Sequence, residues 1–147
     1  MGVAARAIII EDGHMLLMHR NKYGSEYFTL VGGQLREGET PEQALVREVQ
    51  EETGLTVKAA RLVYFENHAA PYNQQYIYFC HVAPHGEIAV EESSEEGVMN
   101  RFQLNTHTPQ WVSLQAFPTL PFRTPQLHAA ITQALTKGFP EAPLRLA

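Results

Sequence analysis

The sequence predicts an α/β fold in which a central mixed sheet carries helices on its faces. Apolar, β-branched segments make up most of the chain, and only two segments show helical periodicity. Those two lie far apart, one near the middle and one near the end, which suits helices packed on a sheet. At 147 residues, with 44% hydrophobic and 18% charged residues, the chain fits one domain, 1–147, with a sizeable core.

The elements follow in order. "VAARAIII" and "HMLLMHR" read as strands joined at "EDGH", where Asp12-Gly13 is a hairpin turn signal. "EYFTLVGG" is a third strand, followed by a glycine-bearing loop. The first helix starts with Thr40 as cap, Pro41 at the first helical position and Gln43 completing a T-x-x-Q capping box. Gly54 stops it just after Thr53. "TVKAARLVYFENH" and "QYIYFCHVA" are further strands, and "EESSEEGVMNRFQLNTHTP", lacking periodicity, reads as loop. "QWVSLQAF" is a short strand or turn, with Trp111 packing in the core. In "TPQLHAAITQALTKG" a Thr-Pro start and Leu127, Ile131 and Leu135 at i, i+4, i+8 mark the second helix. The tail "FPEAPLRLA" is extended.

Net charge is −5, from 11 basic and 16 acidic residues, so there is no basic footprint for duplex nucleic acid. The first residues do not form a secretory signal, and no run approaches the ~18 apolar residues of a membrane span. The lone Cys80 has no internal disulfide partner and reads as a buried strand residue. A reducing cytoplasm is the simplest compartment. His81 and His85 in "HVAPH" are four apart on a strand broken by Pro84, which does not suit a zinc site.

The first helix has its acids at the wrong end. Glu48, Glu51 and Glu52 crowd the C-terminal turns, where the helix dipole disfavours negative charge. Glu48 also faces Glu51 and Glu52 at i,i+3 and i,i+4, where like charges repel. On a helical projection Leu45, Val46, Val49 and Thr53 share the core-facing arc, and the three acids occupy the neighbouring one. A solvated face neutralised by Arg47 is the plain reading. A bound divalent cation answers both objections at once, because hard cations take carboxylate oxygens and keep waters for a phosphate.

The surrounding residues carry a resemblance. Gly33, five residues, Glu39, seven residues and "REVQEETGL" reproduce the Nudix box G-x5-E-x7-R-E-U-x-E-E-x-G-U over residues 33–55, with Val49 and Leu55 aliphatic. Chance agreement at seven identities and two aliphatic positions has odds on the order of 10⁻⁸. The stretch "GGQLREGETPEQALVREVQEETGL" particularly resembles the nucleoside-triphosphate-cleaning, MutT-like branch. The resemblance implies a Nudix-type α/β/α sandwich that uses Mg²⁺, with Mn²⁺ as a substitute. It implies hydrolysis of the pyrophosphate bond in a nucleoside diphosphate linked to X. A nucleoside triphosphate giving a monophosphate leads, ahead of ADP-ribose and other nucleotide conjugates. Oligomeric state stays open, with a homodimer among the options.

Carried onto this chain, the resemblance implies that Glu48, Glu51 and Glu52 bind metal together with the Gly32 carbonyl. Glu39 and Arg47 would pin the loop to the helix and orient Glu48. Glu48, Glu52 or an acid from a distal loop would act as base. A further ligand would come from Glu91, Glu92, Glu95 or Glu96, with Glu96 favoured. Arg6, Arg20 and His19 stand where phosphate-binding groups often lie, and Phe28 or Tyr27 where relatives place a substrate-packing tryptophan. Val31 departs from the usual proline of "PGG". Pro71 and Tyr72 do not decide the substrate. The reading from another class is a nucleotide-sensing module that binds without cleaving; it would be expected to have lost box acids, and this chain keeps them all.

Overall fold

The computed structural model describes residues 2–67, 72–88 and 105–146. Seven strands form one mixed sheet: β1 (Gly2–Glu11), β2 (His14–Lys22), β3 (Ser25–Gln34), β4 (Val57–Asn67), β5 (Tyr72–Val82), β6 (Asn105–Ser113) and β7 (Leu144–Leu146). Their spatial order is β6-β2-β3-β1-β5-β4-β7, with β1–β5 and β4–β7 parallel and the other neighbours antiparallel. Helix α1 (Pro41–Thr53) covers one face and helix α2 (Pro125–Lys137) the other. The α/β/α sandwich and its mixed sheet are as expected.

Strand alternation sorts the core into two layers. Ala5, Ala7 and Ile9 of β1 meet Ala44, Leu45 and Val49 of α1, while Ile8 on the opposite side packs with Leu127 and Ile131 of α2. The β1–β2 hairpin turns at Asp12-Gly13, both at positive φ. A second such turn, Tyr23-Gly24, joins β2 to β3, and the Gly24 N–H donates to the Asn21 side chain.

Helix α1 has the expected ends. Thr40 accepts from the Gln43 N–H, Gln43 returns the bond to the Thr40 N–H, and Gly54 takes the left-handed C-terminal conformation at φ 78°. Its inner face differs by one step from the projection. Val46 is exposed, whereas Ala44 and Glu52 join Leu45, Val49 and Thr53 in the buried set. The buried stripe therefore leans toward the acids and takes Glu52 inside.

The loop expected over residues 91–109 is corrected at its end. Asn105 to Pro109 belong to β6, which pairs with β2 from Lys22 back to His14. Pro109 is tolerated because β6 is an edge strand, where a missing N–H costs no ladder bond. The tail is extended as expected, and Leu144–Leu146 run parallel to β4. Cys80 is buried, and burial pushes its thiol up to about 12. Trp111 packs against the α1-side core. Among the described residues no helix is long and apolar enough to cross a membrane.

The capping box closes the helix end next to the glycine loop, so removing it should loosen that end. Thr40→Ala is expected to lower the unfolding free energy by about 1 kcal/mol in a denaturant titration, with an unchanged m-value.

Candidate active site

The site is built where the end of β3 meets the side of α1. Arg47 is its organiser. Its Nε and Nη2 donate to the two carboxylate oxygens of Glu39 at 2.7 and 2.9 Å. Nη2 also donates to the Gln34 carbonyl, and Nη1 to Glu48 at 2.8 Å and Glu51 at 3.2 Å. Those bonds employ all five guanidinium N–H donors. Glu39 in turn accepts from the Arg36 backbone N–H, which closes the loop on itself. The ion pair expected between Glu39 and Arg47 is present, half-buried, and bidentate.

Magnitudes show why one pair would not suffice. Ordering the loop between β3 and α1 costs roughly 1–2 kcal/mol per residue. A single exposed ion pair contributes less than about 1 kcal/mol. Several charge-assisted bonds converging on one half-buried guanidinium supply the difference.

Arginine meets part of the repulsion among the acids. Glu48 and Glu51 share Arg47, and Glu51 also meets Arg36 at 3.4 Å. The edge is not a solvated face, however, since Glu52 is only 4% exposed. Its Oε1 accepts from the Gly32 N–H at 2.7 Å, which anchors α1 to β3.

The two glycines have separate duties. Gly32 sits at φ 136°, and a Cβ there would lie 2.2 Å from the Ala5 carbonyl oxygen, so glycine lets β3 close on β1. A Cβ on Gly33 would lie 2.3 Å from Glu48 Oε2, so that glycine leaves the Glu48 carboxylate its room. The Gly32 carbonyl accepts from Arg6 at 3.1 Å. Among the described residues no three His, Cys, Asp or Glu side chains already converge as a cation cage. The geometric reason is that Glu48 and Glu51 turn toward Arg47 while Glu52 turns toward Gly32. The donor set still suits a hard cation: three carboxylates along one helix edge, beside a glycine cradle that a Cβ would fill.

A cavity of about 370 Å³ opens beside β3. Arg6 and Arg20, expected at the substrate, both line it, together with Lys22, Tyr27, Thr29, Gln75, Arg123 and Thr124. Arg6 is largely engaged by protein, donating to Gln75, the Leu30 carbonyl and the Gly32 carbonyl. Phe28 does not line the cavity. It packs at the margin of the α2-side core with His19 5.0 Å away, and Tyr27 stands in the cavity wall instead. His19 pairs with Glu26 at 3.3 Å.

Lys22, Thr29, Gln75, Arg123 and Thr124 escaped the sequence reading. Arg123 arrives because the segment before α2 docks on β3: the Phe28 N–H donates to the Pro121 carbonyl and the Arg123 N–H to the Phe28 carbonyl. Its guanidinium then lies 3.9 Å from the centre of the Tyr27 ring. A buried polar chain supports the cavity wall. Arg6 donates to Gln75, Gln75 donates to Glu66, and the Thr124 hydroxyl donates to the other Glu66 oxygen. His107 of β6 is held down to about 4, by burial first and then by the charges of Arg20 and Arg6. The expected acids Glu91, Glu92, Glu95 and Glu96, and also Pro71, lie outside the described residues.

A mixed sheet between two helices, with an acidic helix edge behind a double-glycine turn, defines the class of protein. The NUDIX domain profile matches residues 1–135, and the chain belongs to the Nudix family. It is 34% identical over 119 residues to the NAD-capped RNA hydrolase NudC of Haemophilus influenzae (strain PittEE), covering 78% of this chain and 40% of that one. It is 39% identical over 61 residues to an RNA pyrophosphohydrolase of Vibrio atlanticus (strain LGP32), covering 42% of this chain and 36% of that one. The chain thus spans 40% or less of the length of these relatives. Among solved structures, a MutT NUDIX hydrolase from Burkholderia pseudomallei superposes with a TM-score of 0.59 at 27% identity, over 78% of this chain and 84% of that one.

The clamp carries its own pH signature. Hydrogen bonding to Arg47 holds the Glu39 carboxyl down to about 2, below its ordinary value of 4.5. A carboxyl with a depressed folded-state pKa adds stability that is complete above the ordinary range and is lost as pH falls toward 2. Denaturation of the wild type between pH 5 and pH 2 should therefore show a steeper loss of stability than Glu39→Gln, with the two curves converging at the acid end.

Proposed function

We propose that the chain is a Mg²⁺-dependent pyrophosphohydrolase that cleaves a nucleoside diphosphate linked to X, with a nucleoside triphosphate yielding a nucleoside monophosphate as the leading substrate. The observation that carries this reading is the complete box, folded so that Arg47 and Gly32 hold Glu48, Glu51 and Glu52 along one helix edge. Membership of the Nudix family supports it.

Glu48, Glu51 and Glu52 would hold the cation, with the Gly32 carbonyl offering the lone pair that Arg6 does not use. When bound, the cation supplies charge neutralisation of the phosphate oxygens and acidifies a coordinated water. The protein's own share is orientation. Arg47 fixes one oxygen of Glu48 and leaves Oε2 beside Gly33, and the Gly32 N–H fixes one oxygen of Glu52. Glu48, Glu52 or an acid from a distal loop would accept the proton of the attacking water. The water oxygen forms a bond to one phosphorus, the bridging P–O bond breaks, and the bridging oxygen leaves with the other phosphate. Glu39 acts through Arg47 and touches no reacting atom.

The nucleotide is a small molecule, and a reducing cytoplasm is its natural setting. ADP-ribose and other conjugates stand second. RNA 5′ ends belong in the test because two relatives are RNA hydrolases. The test is a panel of nucleoside triphosphates, ADP-ribose and capped or triphosphorylated RNA, assayed for monophosphate, pyrophosphate and phosphate release with and without Mg²⁺ or Mn²⁺. Turnover should require the cation. On the best substrate Glu48→Gln and Glu52→Gln should each cut kcat by about 100-fold or more while thermal unfolding stays cooperative. Wild-type rates in both variants would refute the assignment, and tight binding without cleavage across the panel would favour a sensing module.

A further inference from the structure

We propose that Gln75 and Glu66 are positioning residues of the reaction: acting through Arg6, they hold the Gly32 backbone in the orientation that fixes Glu52. The inference rests on the pyrophosphohydrolase reading and adds to it two residues that touch no reacting atom.

The buried polar groups are not scattered. Apart from Thr53, which bonds locally to the Val49 carbonyl, the buried polar and charged side chains among the described residues are Arg6, Glu52, Glu66 and Gln75. All of these join one chain of hydrogen bonds. Gln75 Nε2 donates to Glu66 at 3.0 Å, and Arg6 Nε donates to Gln75 Oε1 at 3.0 Å. Arg6 Nη1 donates to the Gly32 carbonyl at 3.1 Å, and the Gly32 N–H donates to Glu52 at 2.7 Å. Apolar side chains of similar volume are often at least as stable as buried ionic groups, so what such a chain contributes is orientation.

Sheet register lays the chain across neighbouring strands. Glu66 of β4 stands opposite Gln75 of β5, Arg6 of β1 stands opposite Gly32 of β3, and β1 lies next to β5. Glutamine is the residue type the middle position needs. Its oxygen meets a guanidinium, which only donates, and its amide meets a carboxylate, which only accepts. The Thr124 hydroxyl holds the second oxygen of Glu66, so the far end of the chain is fixed as well.

Gly32 is the residue that needs holding. It sits at φ 136° and is followed by Gly33, so no side chain restrains the peptide between them. The β2–β3 ladder ends at Leu17–Leu30. Beyond it, side chains take the Gly32 N–H and carbonyl: Glu52 the first and Arg6 the second. Arg6 Nη1 also donates to the Leu30 carbonyl at 3.2 Å, so one nitrogen spans the backbone on both sides of Val31. Without Gln75 the guanidinium is free to swing away, the Gly32 backbone relaxes, and Glu52 loses the bond that fixes its oxygen.

The test begins in metal-free protein, with hydrogen exchange at the Gly32 amide. Its rate is taken relative to that of Val49 in the same protein, which cancels changes in overall stability. Gln75→Leu should raise that ratio about tenfold. Ile131→Val, a core change outside the chain, should lower stability and leave the ratio unchanged. On the best substrate with Mg²⁺, Gln75→Leu should lower kcat about tenfold and keep KM within about twofold. Glu66→Gln removes the charge and keeps an acceptor for Gln75, so it should move the exchange ratio and kcat the same way by about threefold. That milder variant carries the test if Gln75→Leu does not fold. An unchanged Gly32 ratio in the folded variants, or a rise in KM at constant kcat, would overturn the proposal. A failure of the pyrophosphohydrolase reading would show separately: the wild type would turn over no panel member, while exchange at Gly32 would still respond to Gln75→Leu.

Discussion

The guanidinium of Arg47 is the constraint on which the site depends. It spends its five donors on the loop at Gln34 and Glu39 and on the helix at Glu48 and Glu51. Loop and helix thereby become one rigid piece, and three glutamates that would otherwise repel are held in register. The arrangement also explains why the acids tolerate the negative end of a helix. A half-buried arginine with three carboxylates beside it is held well above its ordinary pKa, through its bond to Glu39 first. Its charge is therefore permanent. A lysine could not make the bidentate bond to Glu39 and reach Glu48, Glu51 and the Gln34 carbonyl as well.

Gly32 is the seam between two fields of opposite sign. Its N–H donates to Glu52 on the acidic edge of α1 and its carbonyl accepts from Arg6, which also lines the basic cavity. The backbone can serve both only because β3 approaches β1 more closely there than any side chain would allow. An acidic edge that suits a cation and a basic cavity that suits an anion then lie one residue apart.

Much of this was legible in the chain. The helix ends at Thr40, Pro41, Gln43 and Gly54 are set by local hydrogen bonding, so their residue types announce them. The acids stand out because they break the dipole rule on a helix that otherwise obeys its rules. Other features depend on contacts between distant segments and leave no local trace. Whether Val46 or Glu52 is buried turns on a small rotation of α1, which the Glu52 bond to Gly32 sets. Residues 105–109 lack strand-like alternation and contain a proline, yet they pair because β2 offers an open edge. Arg123 reached the cavity through the docking of the segment before α2 onto Phe28. A count of the arginines and lysines shared between the two hairpin strands and the start of the last helix was the one available hint.

Under the proposed function, the clamped helix edge is where the divalent cation would bind. Paramagnetic broadening by Mn²⁺ tests this most directly, since it maps the ion residue by residue on the amide NMR spectrum. Substoichiometric Mn²⁺ should erase the signals of Gly32, Gly33 and residues 48–52 first and leave those of α2 sharp. Broadening centred anywhere else, or none at all with a diphosphate ligand present, would contradict the account.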